Sequence, residues 1–566
     1  MLKRFSIQLD HDKLFQGLVV VLLCGIYIRS LFTPLVDNDA AHHANIAMRM
    51  FLQNDYVTLI DRDHDYLDKP HLVFWAALMS YKIFGINAFA YRLPAFLFAL
   101  LACFSTYKLT RRLSDTTTAK LATVMLATAL GFLLSVTDAR MEAPLAAFVI
   151  FGIWQMTVFV EERSWKSLVL AALGAAGAFA TKGWLGPVVI FVAIFFKILL
   201  EKRWSVLASY KIYLLIPLFF LFISPVLYAY YLQFDLHPEK EIRGMTQVSG
   251  VRFILWSQNF ERFEGENWAS GGRNSSYFFF YHTFLWAFFP WCIAAYVAAV
   301  YWCQRMIRGK KSRHPFNYLA AAFVFILVII SFSKFKMPHY LNMLLPLAAI
   351  FTAPYLRFAL TYKPGQRFFY GLHLFIAVAT ALLTIVANFY FFPVNNGLVG
   401  AVGVALLLWL FYLVFRKNAN KGEKTIRLGV VAAVAFSFLL IFNFYPQLMT
   451  YQGGYGLADQ VKEKQILAED ILLLEPSAHA FSFRAQHNYD LLQMDSVLAH
   501  YPQYQNKYFL FSHETIEQLH TRGYAVQPVL HQLDYQVTRL KLKFLNPATR
   551  TPLLDSLTLG RIVPQR

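Results

Sequence analysis

The densest chemistry in this chain lies in Asp37-Asn38-Asp39-Ala40-Ala41-His42-His43-Ala44-Asn45-Ile46-Ala47-Met48-Arg49-Met50. His43, Ile46, Ala47, Met50 and Phe51 recur at helical spacing, so the segment is expected as a short helix on a membrane surface. Asp37 or Asp39 caps its start, where free N–H groups and the helix dipole favour a carboxylate. A carboxylate fixed at the water–lipid boundary can also take a proton from an acceptor hydroxyl. Two histidines beside two aspartates suggest a cation site as well, and a divalent cation is a candidate there. Against it, adjacent histidines on a helix diverge by about 100 degrees and rarely ligate one ion together.

Four further segments carry charge where a hydrophobic chain has little reason to. Asp68-Lys69-Pro70 stands just before an apolar run. Its lysine either snorkels to headgroups or donates to an anionic phosphate. Asp138 and Glu142 lie four apart in Thr137-Asp138-Ala139-Arg140-Met141-Glu142, on one helical face if the turn is continuous. Lys182, in Thr181-Lys182-Gly183, and Lys336 and Tyr340, in Lys336-Met337-Pro338-His339-Tyr340, also fall between apolar stretches. In the stretch 233–274, Trp256, Asn259, Arg262, Phe263 and Trp268 mix aromatic and cationic groups, as a phosphate or sugar site would. Carboxylate bases near Lys69, Lys182, Arg262 and Lys336 suit transfer from a phosphate leaving group.

The elements that must position these residues are membrane helices. The chain has 566 residues, 57% hydrophobic and only 15% charged. Soluble domains carry about 25% charged residues, so lipid must serve as solvent for much of this chain. Apolar stretches of spanning length occur about thirteen times, from about 14–36 to 426–446, including 89–109, 142–160, 184–200 and 338–361. The net charge of +19 comes from cations in short connections, with no basic stripe interleaved with stacking aromatics, so nucleic acid is not an expected partner. Arg111, Arg112, Lys120, Arg163, Lys166, Lys202 and Arg203 fall on one side and continue with Arg305, Arg308 and Arg416. Arg140, Lys182, Lys334 and Lys336 fall on the other. The positive-inside rule then places the N-terminus in the cytoplasm and the outer stretches 37–88 and 233–274 outside.

An odd span count puts the C-terminal region, 447–566, outside too. Its polar composition, with Leu540, Leu542 and Phe544 alternating against Arg539, Lys541 and Lys543, reads as a small α/β domain with a few strands. The fold class expected is therefore an all-α polytopic membrane domain, 1–446, followed by a small extracytoplasmic α/β domain. The four cysteines, Cys24, Cys103, Cys292 and Cys303, lie in or beside apolar runs and give no disulfide framework. Met1 to Lys13 leads into an apolar run without a small-residue cleavage site, which reads as a retained first helix. A transporter or flippase of lipid-linked sugars is the competing class. It would place carboxylates near mid-membrane on broken helices, whereas most spans here have clean interiors.

At these residues the chain resembles the GT-C glycosyltransferases of the aminoarabinose transferase and protein O-mannosyltransferase group. The resemblance runs over roughly residues 14–360. It rests on Asp39 to Met50, Asp68-Lys69-Pro70, Glu142-Ala143-Pro144-Leu145, Thr181-Lys182-Gly183, Phe260-Glu261-Arg262-Phe263, Leu285 to Trp291 and Lys336 to Tyr340. It implies a GT-C-type fold and an inverting transferase. The donor would be a polyprenyl-phosphate sugar, of the undecaprenyl type, and the acceptor a lipid A, glycan or protein, in a bacterial inner membrane with a periplasmic site. Asp39 would be the catalytic carboxylate and Glu142 a second acid, with Lys69, Lys182, Arg262 and Tyr340 around the donor phosphate. The chain departs from the group where an Asp-Glu-x-Arg-Tyr start is usual, since His42 and His43 replace the Arg and Tyr. Asp37 thereby remains a rival to Asp39.

Overall fold

The structure is a computed structural model that describes residues 13–37, 39–62, 64–242, 244–258, 276–308, 314–416, 420–474 and 478–565. Each of the expected spans falls on helical segments. Eight described helices are long and apolar enough to cross a membrane, or nine if the pair Thr116–Thr128 and Leu130–Thr137, bent by 56°, is one span. Cys292–Ile307 and Asn317–Phe332 are apolar but shorter. The thirteen helical segments are thus present, while the length criterion passes eight or nine. The chain is a multi-span membrane protein. Lys13–Ser30 and Leu215–Tyr230 expose Leu14, Val21, Ile216 and Leu221 outward, a surface that lipid must cover. Glu142–Glu162 and Pro338–Ala359 are enclosed by the other helices.

Close packing of small residues sets the register at the centre. Glu142–Glu162 and Trp165–Lys182 form an antiparallel pair turned by Arg163 and Ser164. A Cβ on Gly174 would stand 2.8 Å from Gly152 Cα, so the two backbones touch there. From that contact Glu142 lies ten residues back and Lys182 eight residues on, roughly 15 and 12 Å along the helices at 1.5 Å per residue. Both side chains therefore reach the same end of the pair.

The stretch after the first span folds over that end. Its helix Asp39–Gln53 buries His43, Ile46, Ala47 and Met50 of the face expected from the spacing, with Phe51 half-buried, and also Ala40, Ala41, Ala44, Asn45 and Met48, so it is enclosed on more than one face. A two-residue hairpin follows, β1 (Ile60–Asp61) antiparallel to β2 (His64–Asp65), and then the helix Leu72–Phe84. Gln233 holds the hairpin down: its Nε2 donates to Leu59 O at 2.8 Å and Asp65 Oδ1 at 2.7 Å. Arg92, fully buried, ties the neighbouring connections together. Its guanidinium donates to the carbonyls of Thr33, Pro34 (2.9 Å) and Thr137 (2.6 Å), just before Asp39 and Asp138 respectively.

The last spanning segment, Lys421–Met449, leads into the C-terminal region. There β3 (Ile471–Leu473), β4 (Tyr508–Phe511), β5 (Tyr524–Asp534) and β6 (Asp555–Pro564) form one sheet in the order β3-β4-β6-β5. The β3–β4 pair is parallel and the others antiparallel. The expected strand through Arg539–Phe544 is absent. Leu540 and Leu542 point outward, and only Phe544 is buried, stacked on Tyr535 with ring centroids 3.7 Å apart. One apolar anchor in place of an apolar face leaves the segment free to coil into the helical turn Leu542–Leu545.

Candidate functional site

Beneath Asp39–Gln53 a cavity of about 260 Å³ opens among Asp39, His42, His43, Lys69, Glu142, Lys182 and Tyr340, with Tyr66, Asp68, Arg140 and His339 completing its polar wall. Seven residues singled out from the sequence are thus brought together from five separate segments. Asp39 begins its helix. Arg140 Nη1 lies 3.4 Å from Asp39 Oδ2 and 3.2 Å from His339 Nδ1. Deeper in, Lys182 Nζ donates to Glu142 Oε1 at 2.6 Å, with His339 Nε2 3.5 Å from the same oxygen. The Lys182 ammonium also sits 4.6 Å from the centre of the Tyr340 ring. Glu142 Oε2 is buried and has no hydrogen-bond partner among the described residues. It is an acceptor available to a substrate hydroxyl or amine.

The electrostatics separate the two groups at the rim. Burial works to raise the pKa of Asp39, but the groups around it, the Arg140 guanidinium foremost, hold it below the usual 3.8. Asp39 therefore carries its charge at neutral pH. Burial, and then the neighbouring His42 and Lys69, push His43 down to about 3. His43 is thus neutral, with Nε2 3.1 Å from the Tyr66 hydroxyl.

Not every expected residue reaches the cavity. Asp37 faces the C-terminal region: its Oδ1 accepts from Ala480 N–H at 3.3 Å, and its own N–H donates to Gln452 Oε1 at 2.6 Å. Between the two aspartates, the structure places Asp39 at the site. Lys336 lies outside the cavity wall, its ammonium 5.7 Å from the Tyr277 ring centre. Arg262, with Asn259, Phe263 and Trp268, falls outside the described residues. Asp138 and Glu142 do not share a helical face. The helix ends at Thr137, Ala139 takes φ +47, and a new helix starts at Glu142. A left-handed alanine is a strained backbone state, and here it swings Arg140 toward Asp39 while Asp138 bonds Tyr445.

His42 and His43 also part ways, although their rings are stacked with centroids 5.2 Å apart. His42 Nε2 lies 2.8 Å from Asp61 Oδ2. Arg140 and His339 are the site residues that sequence reasoning missed. Arg140 counts in the charge tally only as an outer cation, though its position between Asp138 and Glu142 is a signal that it neutralises carboxylates.

The chain matches the dolichyl-phosphate-mannose-protein mannosyltransferase family over residues 68–229. It is 24% identical to an uncharacterized protein of Aquifex aeolicus over 77% of this chain and 79% of that one. To an undecaprenyl phosphate-alpha-4-amino-4-deoxy-L-arabinose arabinosyl transferase of Pseudomonas aeruginosa it is 23% identical. That match takes in 55% of this chain and 54% of the transferase, so it spans about half the relative's length. Among solved structures, ArnT from Cupriavidus metallidurans bound to undecaprenyl phosphate superposes with a TM-score of 0.73 at 17% identity, covering 97% of this chain and 98% of ArnT. The oligosaccharyltransferase of Archaeoglobus fulgidus gives 0.53 at 12% identity, covering 89% and 70%. The fold is that of ArnT, a GT-C fold, with the small C-terminal sheet domain included, and the resemblance read from the sequence is borne out.

Proposed function

We propose that this protein is an inverting glycosyltransferase that moves a sugar from a polyprenyl-phosphate donor to a lipid A, glycan or protein acceptor. The observation that carries this reading is the single cavity in which an ionised Asp39 and a half-engaged Glu142 face Lys69, Lys182 and Tyr340. The acceptor oxygen forms its bond to the anomeric carbon as the bond from that carbon to the phosphate oxygen breaks, which inverts the centre. Asp39 takes the acceptor proton, and Glu142 Oε2 orients the acceptor. Lys69 and Lys182 offset the charge that the departing phosphate carries away. The arabinosyl transferases of Pseudomonas and the undecaprenyl phosphate bound to ArnT support the donor class. The cation asymmetry of the connections supports a cytoplasmic N-terminus, with the cavity and C-terminal domain on the periplasmic side of a bacterial inner membrane.

The test is transfer of labelled sugar from a synthetic undecaprenyl-phosphate donor by the purified protein in detergent. A carrier of lipid-linked sugars has no second compartment there and would show no product. Losing a general base lowers the rate by about two to four orders of magnitude. Asp39→Asn is expected to show that loss while still inserting in the membrane and binding undecaprenyl phosphate. An unimpaired rate in that variant would sink the assignment.

A further inference from the structure

One cluster beside the cavity is not used by that chemistry. His42 stands on the helix Asp39–Gln53, Asp61 in β1, and His479 begins the helix His479–Ala485 of the C-terminal domain. One ligand atom from each lies within 4.8 Å of the other two. His42 Nε2 is 2.8 Å from Asp61 Oδ2, and the His42 and His479 rings stack with centroids 4.6 Å apart. His42 Nε2 is thus paired with Asp61, whereas His479 Nδ1 is buried without a hydrogen-bond partner among the described residues. A buried imidazole nitrogen without a partner, stacked on a second imidazole that already faces a carboxylate, is an arrangement a protein keeps at a cost unless a further atom sits among them.

We infer that His42, Asp61 and His479 bind a divalent transition-metal ion of the zinc class, which pins the C-terminal domain to the helix that carries Asp39. Two imidazoles and one carboxylate with a fourth position left to water are a tetrahedral zinc set. Calcium and magnesium take six or more oxygens, and the cluster offers only one carboxylate. Zinc–ligand bonds of about 2.0–2.2 Å set ligand atoms roughly 3.3 Å apart, so the site closes by small side-chain movements. The backbone is already placed for this: Asn45 Nδ2 donates to His479 O at 2.9 Å, and Asp37 Oδ1 accepts from Ala480 N–H. Arg62 is a like charge beside the cluster, and Asp37 and Asp61 both act on it to offset that charge.

The experiment takes full-length protein in detergent, stripped with a chelator and titrated with Zn2+ alone and with Co2+ alone. One Zn2+ per chain is expected, with at least about tenfold weaker binding in His42→Ala and in His479→Ala. Co2+ should give visible bands of a four-coordinate site in the wild type and none in either variant. Asp61→Asn, which keeps the side-chain shape, should weaken both metals, and it decides the matter if either alanine variant is poorly behaved. Asp39→Asn should keep its ion, which separates this site from the sugar-transfer reading. Failure of the wild type to hold a stoichiometric ion, or unchanged affinity in His479→Ala and Asp61→Asn, overturns the inference.

Discussion

Burial alone would raise the pKa of Asp39, and Arg140, with Nη1 3.4 Å from its Oδ2, leads the groups that reverse this. A base must be ionised to act, so activity falls as pH drops through that pKa, which lies below 3.8. In Arg140→Met the opposing charge is gone and burial remains. The acid limb of kcat/KM against pH is expected to move upward, above the ordinary aspartate value, and an unmoved limb would show that Arg140 does not set it. Lys182 makes a second residue-scale case, because its partner is almost wholly enclosed. Lys182→Met strands a buried carboxylate, which costs about 3–5 kcal/mol. The variant should therefore unfold at lower temperature as well as bind donor less tightly, both readable from thermal unfolding with and without undecaprenyl phosphate. Asp39, Glu142 and Lys182 were legible in the sequence because charge at the edge of an apolar run needs a reason. Arg140 and His339 were not, because what they touch depends on a left-handed turn at Ala139 that an alanine does not advertise.

At the scale of elements, the Glu142–Lys182 pair is a product of helix packing. The two residues meet because their helices run antiparallel and touch at Gly152 and Gly174. Hydropathy located both helices, but it reports only how apolar a segment is. Which small residues face each other is a matter of rotation about the axis, and that stays hidden until the neighbours are present. Gly174→Val puts branched carbon where 2.8 Å of space exists. The helices must separate or turn, and at their far ends the 2.6 Å contact of Lys182 with Glu142 opens. Expected are a lower unfolding temperature and a weaker donor complex, measured by thermal unfolding and donor titration, while Gly174→Ala should be milder on both counts. The segment Arg539–Phe544 teaches the converse. Its alternation has the period of a strand, yet burial of Phe544 alone decides its conformation.

Across the whole molecule, the C-terminal domain is fastened to the first connection by side chains far apart in the sequence. Leu35 N–H donates to the Tyr455 hydroxyl at 2.8 Å, Gln452 Nε2 to Leu35 O at 2.8 Å, and Gln486 Nε2 to Ile86 O at 2.6 Å. Composition separates the domain from the spans, but no local pattern says that it sits on the segment bearing Asp39. Gln452→Ala breaks one of these links, to Leu35 O, together with the bond from Asp37 N–H to Gln452 Oε1. Hydrogen exchange is expected to quicken in residues 35–53 and 478–485, with the spans unaffected; equal protection in the variant would show that these links do not hold the domain.

The same fastening gives the molecule a timetable. The helix with Asp39 leaves the ribosome well before His479, with every span after the first made in between. A chain halted after its last span would hold every cavity-lining residue yet lack the wall that steadies the first of them. Folding of the C-terminal domain, and not mere insertion of the spans, is then the moment at which the cavity acquires its final shape.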